Sequence, residues 1–131
     1  MTEIDWSGSG RRPAIVLTAA DHQRLVTLME TATLDPAIAQ FLYEELARAD
    51  VIPEGAVGSV TMGSEVRFFD HRARTFRQCR LAYPDEADQD HSISVLSAVG
   101  SALLGLGPGQ SIRLTDAEGE QQLTVLEVLR S

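Results

Sequence analysis

The stretch Ser92–Thr115 reads Ser-Ile-Ser-Val-Leu-Ser-Ala-Val-Gly-Ser-Ala-Leu-Leu-Gly-Leu-Gly-Pro-Gly-Gln-Ser-Ile-Arg-Leu-Thr, and the rest of the chain is organised around it. Its serine-rich start is followed by small and apolar residues at helical spacing, which predicts a short helix from about Ser97 to Leu104. The apolar side of this helix is narrow enough to lie flat on a sheet. It is formed by Val99, Ala102 and Leu103. We expect a packing unit whose exposed rim another protein could recognise, not a catalytic element.

A glycine-rich turn follows the predicted helix and leads into a strand. Gly105 and Gly107 tolerate the left-handed backbone that commonly ends a helix, and Pro108 prevents the helix from resuming. The order Gly-Leu-Gly-Pro-Gly resembles a dinucleotide-binding loop. It follows a helix and precedes a strand, however, which is the reverse of the order that phosphate binding at a helix start requires. We interpret it as a turn.

Strand-like alternation flanks this unit on both sides. Residues 64–69 and 75–83 form one predicted hairpin around the turn Asp70–Arg74, and residues 111–115 and 121–129 form a second. The last of these strands is apolar on both faces, which predicts a central place in the sheet. Two strand hairpins separated by one helix indicate an α+β fold, with an antiparallel sheet and one packed helix.

Two short helices are predicted before the sheet. The first begins at Thr18, whose hydroxyl lies three residues before Asp21, and the second runs from about Pro36 to Ala49 with Asp35 as its cap. The apolar residues of each helix follow the spacing of one face, so we expect an antiparallel helical hairpin with arms of only ~20 Å. These residues are Leu25, Leu28, Met29 and Ala32 in the first helix, and Ile38, Phe41, Leu42, Leu46 and Ala49 in the second.

The chain of 131 residues is long enough for one domain with an appendage. Residues 1–13 contain turn formers without periodicity, which predicts a flexible tail. The helical hairpin then occupies residues 14–52, beginning with a short extended segment at Ile15–Leu17. The α+β domain occupies residues 53–131, after a connection that contains proline and glycine.

Composition excludes several classes of protein. No apolar run approaches the ~20 residues that cross a bilayer, and the acidic start is unlike a signal peptide, so we expect a cytoplasmic protein without membrane contact. We also expect a monomer. The chain has no lysine, which excludes Schiff-base chemistry and a Walker-type phosphate loop.

The sequence predicts no cofactor and no metal site. Cys79 is the only cysteine, so an internal disulfide or a CxxC site is impossible, and its strand-like surroundings favour a buried thiol. His22, His71 and His91 lack the spacing of shared metal ligands, and we interpret them as surface residues.

A positively charged segment lies between two acidic ones. Residues 59–83 hold five arginines and two acids, although the net charge of the chain is −8. That net charge argues against a general nucleic-acid binder. Arg72, Arg74 and Arg77 are candidate partner-binding residues, since arginine can donate two hydrogen bonds to one carboxylate. The alternative is an ordinary solvated face.

The residues from Met62 onward resemble the C-terminal domain of the bacterial Gre transcript-cleavage factors. With Arg12-Pro13, the two short helices and Val60-Thr61-Met62, the pattern is most similar to the Rnk-type regulators of nucleoside diphosphate kinase. Ala98, which follows Ser97, departs from the pattern of the Gre family, because cleavage-type members commonly carry proline at this position. The matching motifs are Gly63-Ser64-Glu65-Val66, Tyr83-Pro84-Asp85-Glu86-Ala87-Asp88, Ile93-Ser94, Ser97-Ala98-Val99-Gly100, Ala102-Leu103-Leu104-Gly105 and Gly109.

The resemblance implies an FKBP-like fold for the second domain and a regulator that docks on RNA polymerase at the rim of the secondary channel. Nucleic acid would then be met only indirectly, through the polymerase. In the Gre family a long helical hairpin carries acidic residues to the active-site magnesium. The tip of the short hairpin in this chain offers only Glu30 and Asp35. The resemblance therefore implies a competitor that blocks the channel entrance without stimulating transcript cleavage.

The resemblance also implies a docking surface. It points to Ser94, Ser97, Val99 and Gly100 as partner contacts, with no catalytic residue. For Val99 and Gly100 the alternative is close packing of the helix on the sheet. Two other functions stay open: an adaptor that contacts nucleoside diphosphate kinase directly, and an FKBP-like prolyl isomerase, which would need several aromatic residues around a proline ring.

Overall fold

The structure, a computed structural model, describes residues 3–6, 15–52, 59–87, 91–116 and 119–129. The helices in these ranges are α1 (Ala19–Thr31), α2 (Pro36–Ala47) and α3 (Ala98–Leu103), and a 3₁₀ turn lies at Pro84–Glu86. The strands are β1 (Glu3–Trp6), β2 (Val16–Thr18), β3 (Asp50–Ile52), β4 (Glu65–Asp70), β5 (Thr75–Ala82), β6 (Ser92–Ser94), β7 (Ser111–Asp116) and β8 (Gly119–Leu129). The predicted α+β fold class is confirmed.

Six strands form one sheet in the order β1-β7-β8-β4-β5-β6. Its neighbouring strands are antiparallel, except for the parallel pair β5 and β6. Both predicted hairpins are present, as β4–β5 and β7–β8. The last strand, β8, lies between β7 and β4, which confirms its predicted central place. The parallel edge strand β6 was not predicted.

The core lies on one face of this sheet. Along β4, Val66 and Phe68 are fully buried, whereas Arg67 points outward, so the strand alternates as its sequence predicts. Helix α3 contributes Ala102 and Leu103 to the same core, both with no exposed surface. The predicted position of α3 is confirmed within one residue at each end.

The first two helices have the predicted caps. The Thr18 hydroxyl accepts a hydrogen bond from the backbone N–H of Asp21 at 3.2 Å. Contacts between the helices include the His22 ring at 3.0 Å from the carbonyl oxygen of Leu46. The start of α1 therefore lies beside the end of α2. The second helix ends at Ala47, two residues earlier than predicted.

The prediction of a flexible tail over residues 1–13 is wrong for Glu3–Trp6. These residues form β1, an edge strand that pairs with β7. The other residues of the predicted tail lie outside the described ranges. The extended segment after them is confirmed as β2, which pairs in parallel with β3 as a separate two-stranded sheet.

The turn after α3 packs against Ile15, the residue just before β2. Gly105 has the predicted left-handed backbone, with a φ of +88°. A Cβ at this position would lie 1.9 Å from Cγ2 of Ile15, so the glycine is required by packing as well as by conformation. The same expectation for Gly107 is wrong, because the next left-handed residue is Gly109, with a φ of +85°.

Candidate partner-binding surface

Two serine hydroxyls fix the loop between β6 and α3. The backbone N–H of Leu96 donates to Oγ of Ser94 at 3.0 Å. The hydroxyl of Ser97 donates to the carbonyl oxygen of Ser94 at 2.7 Å and accepts from the N–H of Gly100 at 3.0 Å. Ser97 is therefore the N-cap of α3, and the loop has a defined shape.

The predicted contacts in this loop differ in exposure. Ser94, Ser97 and Val99 are partly exposed, while Val95 between them is fully buried and anchors the loop in the core. These three partly exposed residues form a short rim at the protein surface, and Val99 also packs against the core. Their contact with a partner stays a prediction.

Gly100 has a packing role. It is buried, and a Cβ there would lie 2.0 Å from the carbonyl oxygen of Ser94. Any side chain would therefore push α3 away from β6. Of the two interpretations of Gly100, the geometry supports close packing, and its surface is not open to a partner.

Two of the predicted arginines converge on one buried carboxylate at the end of the β4–β5 hairpin. Oδ1 of Asp70 accepts hydrogen bonds from the backbone N–H groups of Arg72 at 3.0 Å and Ala73 at 3.2 Å. Nη1 of Arg77 lies 3.8 Å from Oδ2 of Asp70. The guanidinium of Arg77 also lies 5.4 Å from the centre of the Phe68 ring.

The buried side chain of Gln121 completes this cluster. Its Nε2 donates to Oδ2 of Asp70 at 3.4 Å, and its Oε1 accepts from Nη2 of Arg72 at 2.9 Å. The third predicted arginine, Arg74, is exposed in the turn, where its φ is 53°. The hairpin end is therefore a positively charged surface organised by a single carboxylate.

The arginines and the serine loop are at opposite ends of β5. Ser94 pairs with Ala82 at one end of the strand, whereas Arg77 lies five positions earlier. At ~3.3 Å per residue the two positions are about 17 Å apart. The structure does not bring the two predicted sets together into one compact site.

The two acids predicted at the hairpin tip are exposed. Glu30 lies in the last turn of α1. Asp35 is the N-cap of α2, and its Oδ1 accepts a hydrogen bond from the N–H of Ala37 at 2.8 Å, as its predicted capping role requires. Helix α1 has 13 residues. This corresponds to the predicted ~20 Å.

A cluster around Tyr83 joins α1 to the end of β5 and was not predicted. The Tyr83 hydroxyl donates to Oδ1 of Asp21 at 2.7 Å. The guanidinium of Arg24 lies 3.6 Å above the Tyr83 ring and pairs with Glu86 at 2.8 Å. Burial, together with the hydrogen bond to Asp21, raises the pKa of Tyr83. The sequence signal was the Tyr83–Glu86 motif, which carries the resemblance but does not indicate that Tyr83 contacts Asp21.

The remaining titratable groups have local roles. Cys79 is buried as predicted, and burial raises the pKa of its thiol to about 11. His71 contacts the hydroxyl of Thr124 at 2.8 Å. Within the described ranges, no three His, Cys, Asp or Glu residues are grouped in a way that would hold a metal ion. The helices in those ranges are too short or too polar to span a membrane.

Known proteins match both parts of the chain. Residues 54–130 match the C-terminal part of the GreA/GreB transcription elongation factors, and residues 13–52 match the Rnk N-terminus. The regulator of nucleoside diphosphate kinase from Escherichia coli K12 is 38% identical over 105 residues, which cover 77% of each chain. GreA from Syntrophobacter fumaroxidans is 38% identical over 72 residues, which cover 54% of this chain and 46% of that factor.

A solved structure has the same fold. The transcription elongation factor GreA/GreB from Nitrosomonas europaea is similar with a TM-score of 0.74 and 36% sequence identity. The match covers 90% of this chain and 99% of that one.

The fold and these matches define a class, the regulators built on a GreA/GreB-type domain, and the relatives above are named as regulators or elongation factors. The chain belongs to the Rnk family, in which an Rnk N-terminal segment precedes that domain. The resemblance stated from the sequence is confirmed.

Proposed function

We propose that the protein docks on RNA polymerase at the rim of the secondary channel. It competes there with Gre-type factors and does not stimulate transcript cleavage. The observation that carries this proposal is the combination of a GreA/GreB-type domain with helices of only 13 and 12 residues. The domain supplies the binding, and the short arm limits what the bound protein can do.

The rim formed by Ser94, Ser97 and Val99 supports the docking. These residues lie on a loop whose shape is fixed by hydrogen bonds within the loop, so little conformational entropy is lost on binding. The positively charged hairpin end, with Arg72, Arg74 and Arg77, is proposed as a separate contact with acidic residues. Because about 17 Å separates the two along β5, a partner that touches both must be large.

The short arm supports a role in blocking. Glu30 and Asp35 are carboxylates near the bend, but Asp35 is already bound to the start of α2. An arm of ~20 Å reaches the channel entrance and does not carry these groups deep into the channel. We therefore assign the arm the occupation of the entrance, without metal chemistry.

A competition measurement tests the docking. Purified RNA polymerase carrying a fluorescent Gre factor is titrated with this protein, and displacement is followed by anisotropy. We expect Val99→Glu to weaken displacement by about tenfold or more, since it places a charge in the proposed contact. Val51→Glu is the matched control, because Val51 is exposed on β3 and is not part of the rim. Equal displacement by both variants would contradict the assigned surface, and no displacement by the wild type would contradict the docking.

A cleavage measurement tests the role of the arm. Stalled transcription complexes with labelled RNA are incubated with the protein alone. We expect the transcripts to keep their length, because the arm is short. Transcripts shortened by the wild-type protein, but not by the Glu30→Gln variant, would contradict the proposal.

A second candidate is an adaptor that contacts nucleoside diphosphate kinase directly, since the Escherichia coli relative is named as a regulator of that kinase. A pull-down with purified kinase and purified polymerase separates the two candidates. Retention of the kinase without the polymerase would favour the adaptor.

The finer description of the fold is also a proposal. We propose that residues 53–131 have an FKBP-like fold and that residues 14–52 are a helical hairpin. Prolyl isomerisation has no support from the described phenylalanines of the sheet, because Phe69 and Phe76 pack together on the face opposite to Phe68. Phe68 is fully buried in the core, and Phe76 is 69% exposed.

A further inference from the structure

Considering only the residues that the structure describes, half of strand β5 is an open edge of the sheet. On one side β4 pairs with β5 from Thr75 to Arg80. On the other side β6 pairs only with Arg80–Ala82. Among the described residues, no strand lies beside Thr75–Cys79 on that side. The side chains of residues 75–78 are all exposed, which is consistent with an uncovered edge.

The hydrogen-bonding groups at this edge follow from the strand register. The backbone N–H of Arg80 donates to the carbonyl oxygen of His91 at 2.7 Å, so Arg80 directs its backbone groups away from β4. Alternate residues of a strand direct these groups to the same side. Phe76 and Gln78 therefore also point their N–H and C=O groups outward. The Phe76 carbonyl oxygen has a 3.5 Å contact with the hydroxyl of Thr75.

The side chains along the edge combine an aromatic ring with positive charge. Phe76 is 69% exposed, and its ring packs at 4.9 Å against Phe69. Arg74 lies just before the edge and Arg77 within it, on the opposite face from Phe76. Arg77 lies 3.8 Å from Asp70, a carboxylate that also accepts two backbone N–H groups, so Arg77 can approach a second carboxylate.

We propose that this edge binds an extended acidic segment of a partner protein by strand addition. The outward N–H and C=O groups of Phe76 and Gln78 supply the main-chain hydrogen bonds. Because side chains alternate along both strands, the segment places an apolar residue beside Phe76 and an acidic residue beside Arg77. A second copy of this chain fits poorly, since its own β5 edge would bring arginines together. The proposal does not depend on docking to polymerase.

A peptide titration tests the proposal. The probe is a labelled hexapeptide of alternating valine and glutamate, and the control probe alternates valine and lysine. We expect the glutamate peptide to bind at least about tenfold more tightly. In its presence, hydrogen exchange followed by NMR is expected to slow at the amides of Phe76 and Gln78. The amides of Arg77 and Cys79, which face β4, are expected to change little.

Three variants sharpen the measurement. Gln78→Pro removes an outward N–H without removing a backbone hydrogen bond to β4, although the side-chain bond to Glu65 is lost, and Arg77→Glu reverses the charge at the edge. We expect each to weaken peptide binding by about tenfold or more. Arg113→Glu is the matched charge reversal on β7, away from the edge, and is expected to leave binding unchanged. Circular dichroism and thermal unfolding establish that each variant is folded.

Four outcomes would overturn the proposal. They are the absence of binding by the glutamate peptide, equal binding of the lysine peptide, unchanged binding by both edge variants, and slowed exchange confined to residues outside β5. Polymerase displacement by Gln78→Pro is measured in parallel, because Gln78, unlike Arg77, is not among the proposed polymerase contacts. Loss of peptide binding with displacement intact separates this edge from the proposed serine rim.

Discussion

The β6–α3 loop and the end of the β4–β5 hairpin, the two regions predicted to contact a partner, are held in shape by different forces. In the loop, Gly100 packs so tightly under Ser94 that no side chain fits. At the hairpin end, the carboxylate of Asp70 gathers backbone N–H groups, Gln121 and Arg77 around itself. One region is fixed by volume and the other by charge.

This difference decides which substitutions are informative. A change of volume without charge will disturb the loop and leave the hairpin end intact. An isosteric change of charge will do the reverse. Binding through the hairpin end will also weaken with added salt. The ions screen the attraction between exposed charges, with a screening length of about 10 Å at 0.1 M ionic strength.

Gly100→Ala is expected to have the largest effect. The added Cβ meets the carbonyl oxygen of Ser94 at 2.0 Å, and we expect the free energy of unfolding to fall by about 3 kcal/mol. Gly109→Ala is the matched control. Its site has no atom within 4 Å of the added Cβ, and only its left-handed backbone costs about 1 kcal/mol. Urea denaturation measures both, and equal losses would show that α3 does not pack as described.

Asp70→Asn tests the region fixed by charge. The variant keeps the shape of the side chain but loses the charge that Arg77 and the backbone N–H groups face. We expect a loss of about 2 kcal/mol in the free energy of unfolding. The control is Glu127→Gln, an exposed partner of Arg67 at 3.4 Å, which should cost less than about 0.5 kcal/mol. A loss as small for Asp70→Asn would mean that the cluster does not stabilise the turn.

Cys79 lies on the strand that connects the two regions, and it predicts a loss of stability in alkali. Burial raises its thiol pKa from 9.0 to about 11, so the unfolded chain releases this proton first as the pH rises. The folded state then binds more protons than the unfolded state, and stability falls as the pH rises from about 9 to about 11. We expect this thiol to contribute about 1–2 kcal/mol of the loss.

The variant Cys79→Ala isolates that contribution. Urea denaturation at pH 8 and pH 10.5 gives the change for each protein, and the other titrating groups are common to both. The variant should lose less stability across this range than the wild type. An identical loss in the two proteins would show that the thiol is not desolvated.

Tyr83→Phe is expected to have the smallest effect, at about 1 kcal/mol, because it removes only the hydrogen bond to Asp21 between α1 and β5. Tyr43→Phe is the control. The Tyr43 hydroxyl makes a longer bond of 3.3 Å to the carbonyl oxygen of Met29, and half of the residue is exposed. Thermal unfolding compares the two. A larger loss for Tyr43→Phe would contradict the structural weight given to the Tyr83 cluster.

Elements specified by local patterns were predictable from the sequence. The alternation along β4 and the cap of α2 at Asp35 each depend on residues only a few positions apart in the sequence. Edge strands were missed, since β1 has four residues and β3 and β6 have three each, too few to show a period. Their pairing depends on distant partners, such as Thr115 opposite Glu3.

The candidate site was predictable as a set of residues but not as a geometry. The resemblance pointed to Ser94 and Ser97, and the charge distribution pointed to the arginines. Only the register of β4, β5 and β8 could show that Arg72 and Arg77 gather around Asp70. The contact between Tyr83 and Asp21 joins residues 62 positions apart, so no local pattern could predict it.

The close contact between Gly105 and Ile15 limits how this molecule can be re-engineered. Ile15 fills the space that a side chain at Gly105 would take, so the segment leading into α1 packs closely against the turn after α3. A chimera that received a longer arm from a relative would need a side chain of similar shape at the position of Ile15. Without one, a cavity would be left beside Gly105. The length of the arm therefore cannot be changed by such an exchange without also matching the packing at its base.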